Sequence, residues 1–303
     1  MTKPESHIEW PTVALIAACT GVWMGACWLA GREGMWPTLA IAALCVTLHS
    51  SLQHEVLHGH PTRNRPLNEV LVFLAPGLVI PFRRFRALHL KHHNDPHLTD
   101  PYEDPETNYM ASADWDKLPW PVQRLRQVNN TLLGRVLIGP AVAILGFWAS
   151  DARLLLAGDQ RVRLAWGLHL WSLGLTLGWV MGVCGLNFWT YLLAAAYPGF
   201  SLLMVRTFLE HRAEQDVPSR TCIVEDASGV FGLLFLNNNL HLVHHLDPAV
   251  AWYKLPGLYA RDKARYLTLN GGFRFKSYWA ILRGYAVHAK AELPHPFLRR
   301  GGG

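Results

Sequence analysis

Residues 164–205 read LAWGLHLWSLGLTLGWVMGVCGLNFWTYLLAAAYPGFSLLMV, a run of 42 residues without Asp, Glu, Lys or Arg. A bilayer core about 30 Å thick is crossed by about 20 apolar residues in a helix. The run is therefore long enough for two spans folded back on each other, with the turn at Cys184-Gly185-Leu186-Asn187. Backbone polar groups in lipid must bond within the segment, so we expect both spans to be helices.

Two shorter uncharged windows lie near the N-terminus, at Trp10–Gly31 and Gly34–His54, and each has the length of one span. Only 17% of the residues are charged, against about 25% in a typical soluble domain. We therefore expect an all-α integral membrane protein that forms one domain over residues 1–303. Its four transmembrane helices are predicted at about 11–30, 35–54, 164–184 and 187–206.

Two further apolar runs are too short to cross. Val70–Phe82 has 13 residues and is interrupted by Pro76-Gly77, which predicts an interfacial or re-entrant piece. Val136–Ser150 has 15 residues with Pro140 inside, and its length favours a helix lying in the interface.

The basic residues orient the chain. If the short runs do not cross, 26 of the 28 Lys and Arg residues, 13 from Arg63 to Arg163 and 13 from Arg206 onward, lie on one side of the membrane, in or at the edge of two polar parts, 55–163 and 207–303. The positive-inside rule places both parts in the cytosol, so we expect a multi-pass cell-membrane protein with a cytosolic cap. The pI near 9.2 then reflects topology and contact with anionic lipid, and we expect no nucleic-acid partner.

Half of the 16 histidines fall in three groups. His54-Glu-Val-Leu-His58 ends the second predicted span, His89-Leu-Lys-His92-His93 lies in the first cytosolic part, and His241-Leu-Val-His244-His245 lies in the second. Residues three and four apart share one face of a helix, so each group can direct its imidazoles to one side. All three groups fall on the cytosolic side by a topology argument that does not use histidine. We expect them to form one metal centre.

Eight imidazoles exceed the three or four protein ligands of one tetrahedral zinc, so two metal ions are implied. Imidazole binds iron, copper, zinc and nickel, and ligand type alone leaves the metal open. Ligating histidines usually donate their second N–H to a carboxylate or a carbonyl. Carboxylates within a few residues of a histidine group, which the sequence does not sort, are Asp95, Asp100, Glu103, Asp104, Glu106, Glu210 and Asp247.

The order HxxxH, HxxHH, HxxHH on this topology resembles the three histidine boxes of the membrane fatty-acid desaturase and hydroxylase superfamily, in particular bacterial-type hydrocarbon oxygenases. The resemblance includes Leu98–Glu106 and Asn237–His241, and it runs from the first helix to about Pro256. It implies two non-haem irons with O2 as co-substrate, which oxidise an unactivated C–H bond. It also implies the following metal ligands: His54, His58, His89, His92, His93, His241, His244 and His245.

The resemblance also implies a ninth ligand just after the last span, where His211 lies. Some family members hold a metal-bound water with an Asn four residues earlier, and this chain has Thr207 there. The nearby candidates for that role are Asn237, Asn238 and Asn239. The other histidines are expected to be structural, with His49 and His169 hydrogen-bonded in the helix bundle, unless His49 lines a substrate channel. We expect surface positions for His60, His97, His288 and His295.

Three other classes of protein share part of this pattern. His54-Glu55-Val-Leu-His58 is an HExxH sequence, which zinc proteases use with Glu as general base, but a single-zinc hydrolase needs no HxxHH groups. Soluble di-iron carboxylate bundles need ExxH twice, and the sequence has no second copy in a matching context. Transporters bind their ion near the bilayer midplane, whereas these histidines lie at the cytosolic ends of the spans.

The substrate and electron source follow from the same features. A bilayer-embedded oxygenase implies a lipid-like substrate, and we expect fatty-acyl desaturation or hydroxylation, with ketolation and oxidative demethylation as alternatives. The sequence has no Cys cluster for iron–sulfur and no Gly-rich nucleotide fingerprint. We therefore expect a separate electron donor, a ferredoxin or a cytochrome with its reductase. The predicted docking patch is Arg83, Arg84, Arg86 and Lys91.

Overall fold

The chain folds mainly as helices, because the backbone polar groups of its long apolar windows must bond within the segment in lipid. The computed structural model describes residues 8–94, 96–225 and 229–297. The fold is 64% helical with almost no strand, as the sequence predicts. The chain forms two compact units, the first made of residues up to Arg86 and Ala143–Leu202, the second of Ala87–Val142 and the residues from Leu203 onward.

The helices and strands are numbered in chain order. Three of the helices continue into, or follow, wider π-helical turns at Gly178–Val183 and Leu192–Ala196. The helices are α1 (Trp10–Arg32), α2 (Thr38–Leu57), α3 (Arg65–Leu71), α4 (Phe82–His93), α5 (Ser112–Trp115), α6 (Trp120–Asn129), α7 (Leu132–Leu156), α8 (Gln160–Leu177), α9 (Phe188–Tyr191), α10 (Tyr197–Thr207), α11 (Val230–Leu234), α12 (His241–Leu246), α13 (Leu255–Arg261), α14 (Lys263–Leu269) and α15 (Tyr278–Tyr285). Two short strands, β1 (Ile223–Val224) and β2 (Arg274–Phe275), pair in parallel.

Four helical stretches of the described residues are long and apolar enough to cross a membrane, namely Trp10–Arg32, Leu132–Leu156, Gln160–Val183 and Phe188–Thr207. Three of them coincide with predicted spans. The predicted span at 35–54 forms α2 but is not among the four, because its last turns carry His49, Gln53, His54 and Glu55.

The fourth stretch, α7, is longer than the sequence predicts. The apolar window Val136–Ser150 predicts a short interfacial helix, whereas α7 has 25 residues and continues through Asp151 and Arg153. Asp151 is tolerated because it is buried against Arg84, with 2.7 Å between Oδ1 and the guanidinium, and accepts a hydrogen bond from Trp166. Helix propensity and this ion pair therefore extend the helix beyond the apolar window.

Close packing in the first unit depends on one small residue. The Thr47 hydroxyl of α2 donates to the Gly199 carbonyl of α10 over 2.8 Å. A Cβ added at Gly199 would lie 2.6 Å from the Val46 side chain, closer than atoms can approach. Only glycine permits this contact, so the position couples α2, which ends in the first histidine group, tightly to α10.

The predicted non-crossing run Val70–Phe82 forms the end of α3 followed by irregular backbone from Val72 to Pro81. Irregular backbone at membrane depth needs hydrogen-bond partners from neighbouring helices. Side chains of the first unit supply them: Ser172 donates to Phe73 O, Tyr191 donates to Pro76 O over 2.7 Å, His169 Nε2 donates to Leu78 O over 2.9 Å, and Thr176 Oγ1 accepts from Ala75 N over 3.0 Å. The prediction that His169 is hydrogen-bonded inside the bundle is thereby confirmed.

The second unit carries the polar segments. Its apolar core lies behind α12, where Leu242 and Val243 pack against residues of α13 and α14 such as Leu255, Tyr259 and Tyr266. One face of α12, formed by Leu242 and Val243, is thus held by this core. The histidines of the same helix, at positions 241, 244 and 245, take the other face.

Candidate metal centre

Seven of the nine predicted metal ligands lie in the second unit. The last turns of α4 carry His89, His92 and His93, and α12 carries His241, His244 and His245. His211 follows α10 in a short antiparallel bridge with Thr221, which holds its backbone in place. Helical spacing of three and four therefore gathers each set of imidazoles, as the sequence predicts for these segments.

Four of these histidines form one group, which we call the four-histidine group: His92, His211, His241 and His245. One ring nitrogen from each lies within 4.8 Å of the others. His211 Nε2 is 3.1 Å from both His92 Nε2 and His241 Nε2, and His245 Nε2 is 3.1 Å from His241 Nε2. The four rings thus direct the same nitrogen toward one point.

This geometry fits a metal ion. Two nitrogens bound to one metal at ~2.1 Å and at right angles lie ~3.0 Å apart, close to the separations in the four-histidine group. Burial and the neighbouring imidazoles lower the pKa of His211, His241 and His245 well below the ordinary value for histidine. The three rings are therefore neutral at pH 7, the form in which imidazole binds metals.

Acidic side chains hold the second nitrogen of the ligand rings. Asp104 accepts a hydrogen bond from His92 Nδ1 over 2.8 Å, and Glu106 accepts one from His89 Nδ1 over the same distance. Burial lowers the pKa of His92, but the carboxylates of Glu106 and Asp104 outweigh it and raise this pKa to about 9. These two carboxylates hold the proton on Nδ1, so Nε2 is the nitrogen available to a metal, which would displace the second proton of His92.

Polar groups also lie beside Nδ1 of two further members, His241 and His211. Asn238 Oδ1 is 3.1 Å from His241 Nδ1, with a Glu210 oxygen at 3.6 Å, and Thr221 Oγ1 is 3.3 Å from His211 Nδ1. Of the three candidate asparagines, only Asn238 contacts a ligand ring. Asn237 and Asn239 instead donate to the carbonyls of Trp252 and Val224.

The other three histidines of the second unit form a separate set. His244 Nε2 is 3.2 Å from His93 Nε2, and the His89 and His93 ring centroids are 4.6 Å apart. In the first unit, the remaining predicted ligands, His54 and His58, are one turn apart with ring centroids separated by 5.0 Å.

Two of the histidines predicted at the surface are buried instead. His60 Nδ1 donates to the Glu9 carboxylate over 2.9 Å, and His295 contacts Thr99 Oγ1 over 3.2 Å. Both partners are distant in sequence, so no local pattern reveals these pairs. His97 and His288 are exposed, as predicted, and His49 is buried in α2.

The structure also sorts the candidate carboxylates. Asp104, Glu106 and Glu210 lie against ligand rings, whereas Glu103 pairs with the exposed His97. Asp100 accepts bonds from the amides of Tyr102 and Glu103 and shapes the turn between them. Asp95 lies outside the described residues.

Comparison with known proteins adds one match. The sequence model of the family described as Fatty acid desaturase matches residues 33–277, about four fifths of the chain. The matched region begins before α2 and ends just before α15, so it contains all three histidine groups and His211. A search of curated proteins finds no match.

Proposed function

Because the chain belongs to the fatty acid desaturase family, we propose that it uses two histidine-bound irons and O2 to oxidise an unactivated C–H bond in a lipid-like substrate. The reaction we favour is desaturation or hydroxylation of a fatty-acyl chain. The chain is a membrane protein, and we propose that it resides in the cell membrane with its metal centre on the cytosolic side.

The four-histidine group is the observation that supports this proposal most strongly. Its four Nε2 atoms converge without any acidic ligand, a donor set that suits iron and other imidazole-binding metals. We propose that all nine predicted histidines are ligands, so that the four-histidine group holds one iron. The family resemblance implies a second iron, to which His89, His93 and His244 of the second unit would contribute.

The protein's own residues prepare the centre for chemistry. When bound, the irons would activate O2 and oxidise the C–H bond. Asp104 and Glu106 hold the Nδ1 protons of His92 and His89, so that Nε2 is the nitrogen that would bind the metal. His92, His241 and His244 are each at most 3% exposed, so bulk water has little access to the ligand shell.

The proposal is tested on protein purified in detergent. We expect about two irons per chain by elemental analysis, because nine imidazoles overfill one site. With a reductase and a soluble electron carrier, we expect a membrane-lipid extract to yield desaturated or hydroxylated acyl chains, detected by mass spectrometry. The matched control is the same mixture under nitrogen, where product should disappear. One tightly bound zinc and no O2-dependent product would refute the proposal.

We further propose that the electron donor is a separate acidic protein that docks on residues 254–276 and not on the predicted patch. Three of the four predicted residues, Arg83, Arg84 and Arg86, are half-buried. Residues 254–276 carry six basic residues against one acidic residue. All six are exposed: Lys254, Arg261, Lys263, Arg265, Arg274 and Lys276.

The position of this basic surface supports its role. It lies on and beside α13 and α14, whose inner residues pack directly against Leu242 and Val243 of α12. Those two residues lie between His241 and His244 in the third histidine group. A carrier bound here would deliver electrons through one helix, and positive charge would steer an acidic partner toward it.

Reversing two of these charges, Arg261→Glu with Lys276→Glu, should raise the KM for an acidic carrier about tenfold at low ionic strength and less at high ionic strength. The matched control reverses two basic residues of α6, the exposed Arg124 and the half-buried Arg126, as Arg124→Glu with Arg126→Glu, and should leave that KM unchanged. Steady-state turnover at two salt concentrations gives the answer, with iron content measured in parallel. Equal effects of both pairs would mean that the surface at 254–276 is not the docking site.

A further inference from the structure

Beyond residue 277, where the family match ends, the chain continues within the second unit. We name residues 286–297 the C-terminal strap. The strap is bonded through its backbone at several points along its length. These bonds are Leu133 N to Ala286 O (3.0 Å), Lys290 N to Asn130 O (3.1 Å), Met110 N to Leu293 O (2.9 Å) and His295 N to Met110 O (2.7 Å).

Three hydrogen bonds connect His295 of the strap to His92, a proposed metal ligand. The Phe297 amide donates to His295 Nδ1, which leaves the proton on Nε2, and this atom lies 3.2 Å from Thr99 Oγ1. The Thr99 amide donates to Asp104 Oδ2 over 2.9 Å, and Asp104 Oδ1 accepts from His92 Nδ1 over 2.8 Å. All four residues from His295 to His92 are at most 5% exposed, so little water competes for these bonds.

The strap also brackets the segment that carries His211. Lys290 Nζ donates to the carbonyl of Phe208, three residues before this ligand, over 2.5 Å. The His295 ring packs edge-on against Tyr109, whose hydroxyl accepts from the amide of Ala213, two residues after the ligand, over 3.0 Å. The backbone on either side of His211 is thus tied to the strap.

Both lines of contact reach members of the four-histidine group, since His92 and His211 lie 3.1 Å apart within it. We propose that the C-terminal strap positions the four-histidine metal site, with His295 and Lys290 as positioning residues. This inference rests on the proposed function only in that the group binds a metal. His89, His93 and His244 belong to the other proposed metal site. Changes in the strap should therefore weaken metal binding at the four-histidine group and not at that other site.

The test measures metal content and affinity in the full-length protein, independently of turnover. We expect the double variant His295→Ala with Lys290→Met to bind one of two metal ions about 10–100-fold more weakly than the unchanged chain, the usual cost of losing a group that orients a ligand. Titration with Co²⁺, followed by its ligand-field absorption and by elemental analysis, resolves the two sites. The single variant His295→Ala should weaken the same site, whereas His295→Gln keeps a donor for Thr99 and should bind both metals as the unchanged chain does. His288→Ala, at an exposed position on the same strap, should also leave binding unchanged.

The outcomes separate this inference from the proposed function. If the unchanged chain binds no metal, the proposed function fails. If it binds two and the double variant binds both within twofold of the same affinity, the strap does not position the site. Equal weakening of both metals, or a fall in helix content measured by circular dichroism, would show a general role in folding and would also overturn the inference. Unchanged affinity for both metals in the single variant His295→Ala would show that His295 is not a positioning residue.

Discussion

Replacing His244 with alanine should reduce O2-dependent oxidation more than about 100-fold, whereas Glu55→Gln should cost no more than about 10–100-fold. His244 is a proposed ligand, and its Nε2 lies 3.2 Å from that of His93. Losing a side chain that binds the metal directly should reduce the rate more than losing a group that only orients a ligand. Loss of an orienting group typically costs about 10–100-fold. Initial rates with a saturating electron carrier measure both effects.

The same pair of variants tests the one rival chemistry that the sequence contains. In a zinc protease built on HExxH, Glu55 would be the general base and Glu55→Gln would abolish activity, while His244 would be dispensable. In the structure, a Glu55 oxygen lies 3.9 Å from His60 Nε2, beside the Glu9 carboxylate that His60 also contacts. Glu55 therefore belongs to a buried polar cluster at the end of α2. An inactive Glu55→Gln variant together with an active His244→Ala variant would establish the protease reading.

Asp104→Asn should weaken binding of one metal about 10–100-fold and lower the rate accordingly, while Glu103→Gln should have no measurable effect. Asp104 is 4% exposed and accepts bonds from both His92 and the Thr99 amide. An asparagine offers an N–H where one of these donors needs an acceptor, and it loses the negative charge that faces His92.

Glu103 makes this a matched comparison. It is adjacent in sequence, and its side chain is 53% exposed and pairs with the equally exposed His97. Surface ion pairs of this kind contribute little. Iron content and affinity should therefore separate the two variants although both lose one carboxylate from the same loop. Similar behaviour of the two variants would mean that Asp104 does not orient His92.

Short-range patterns predicted most of what the structure contains. Helical spacing predicted that His89, His92 and His93 share one face, as do His241, His244 and His245, because that information is contained within five residues. The spans at 11–30, 164–184 and 187–206 were likewise predicted from local hydropathy. His92 and His211 are 119 positions apart in the sequence, and only the family resemblance indicated that they lie together.

Features that depend on distant contacts were not predictable. Asp104 and Glu103 are equally plausible partners in the sequence, and only the fold buries one of them. His295 looks like a surface residue near a chain end, yet Thr99, 196 residues away, receives it in a buried position. The length of α7 was underestimated for the same reason, since Arg84 neutralises the Asp151 that ends its apolar window.

The contact between His92 and His211 constrains how often the chain crosses the bilayer. Atoms 3.1 Å apart are on the same side, so the number of crossings between these two residues must be even. Gln160–Val183 and Phe188–Thr207 already supply two, and a third crossing by α7 would make the number odd. We therefore infer that α7, although as hydrophobic as α1, lies along the membrane surface.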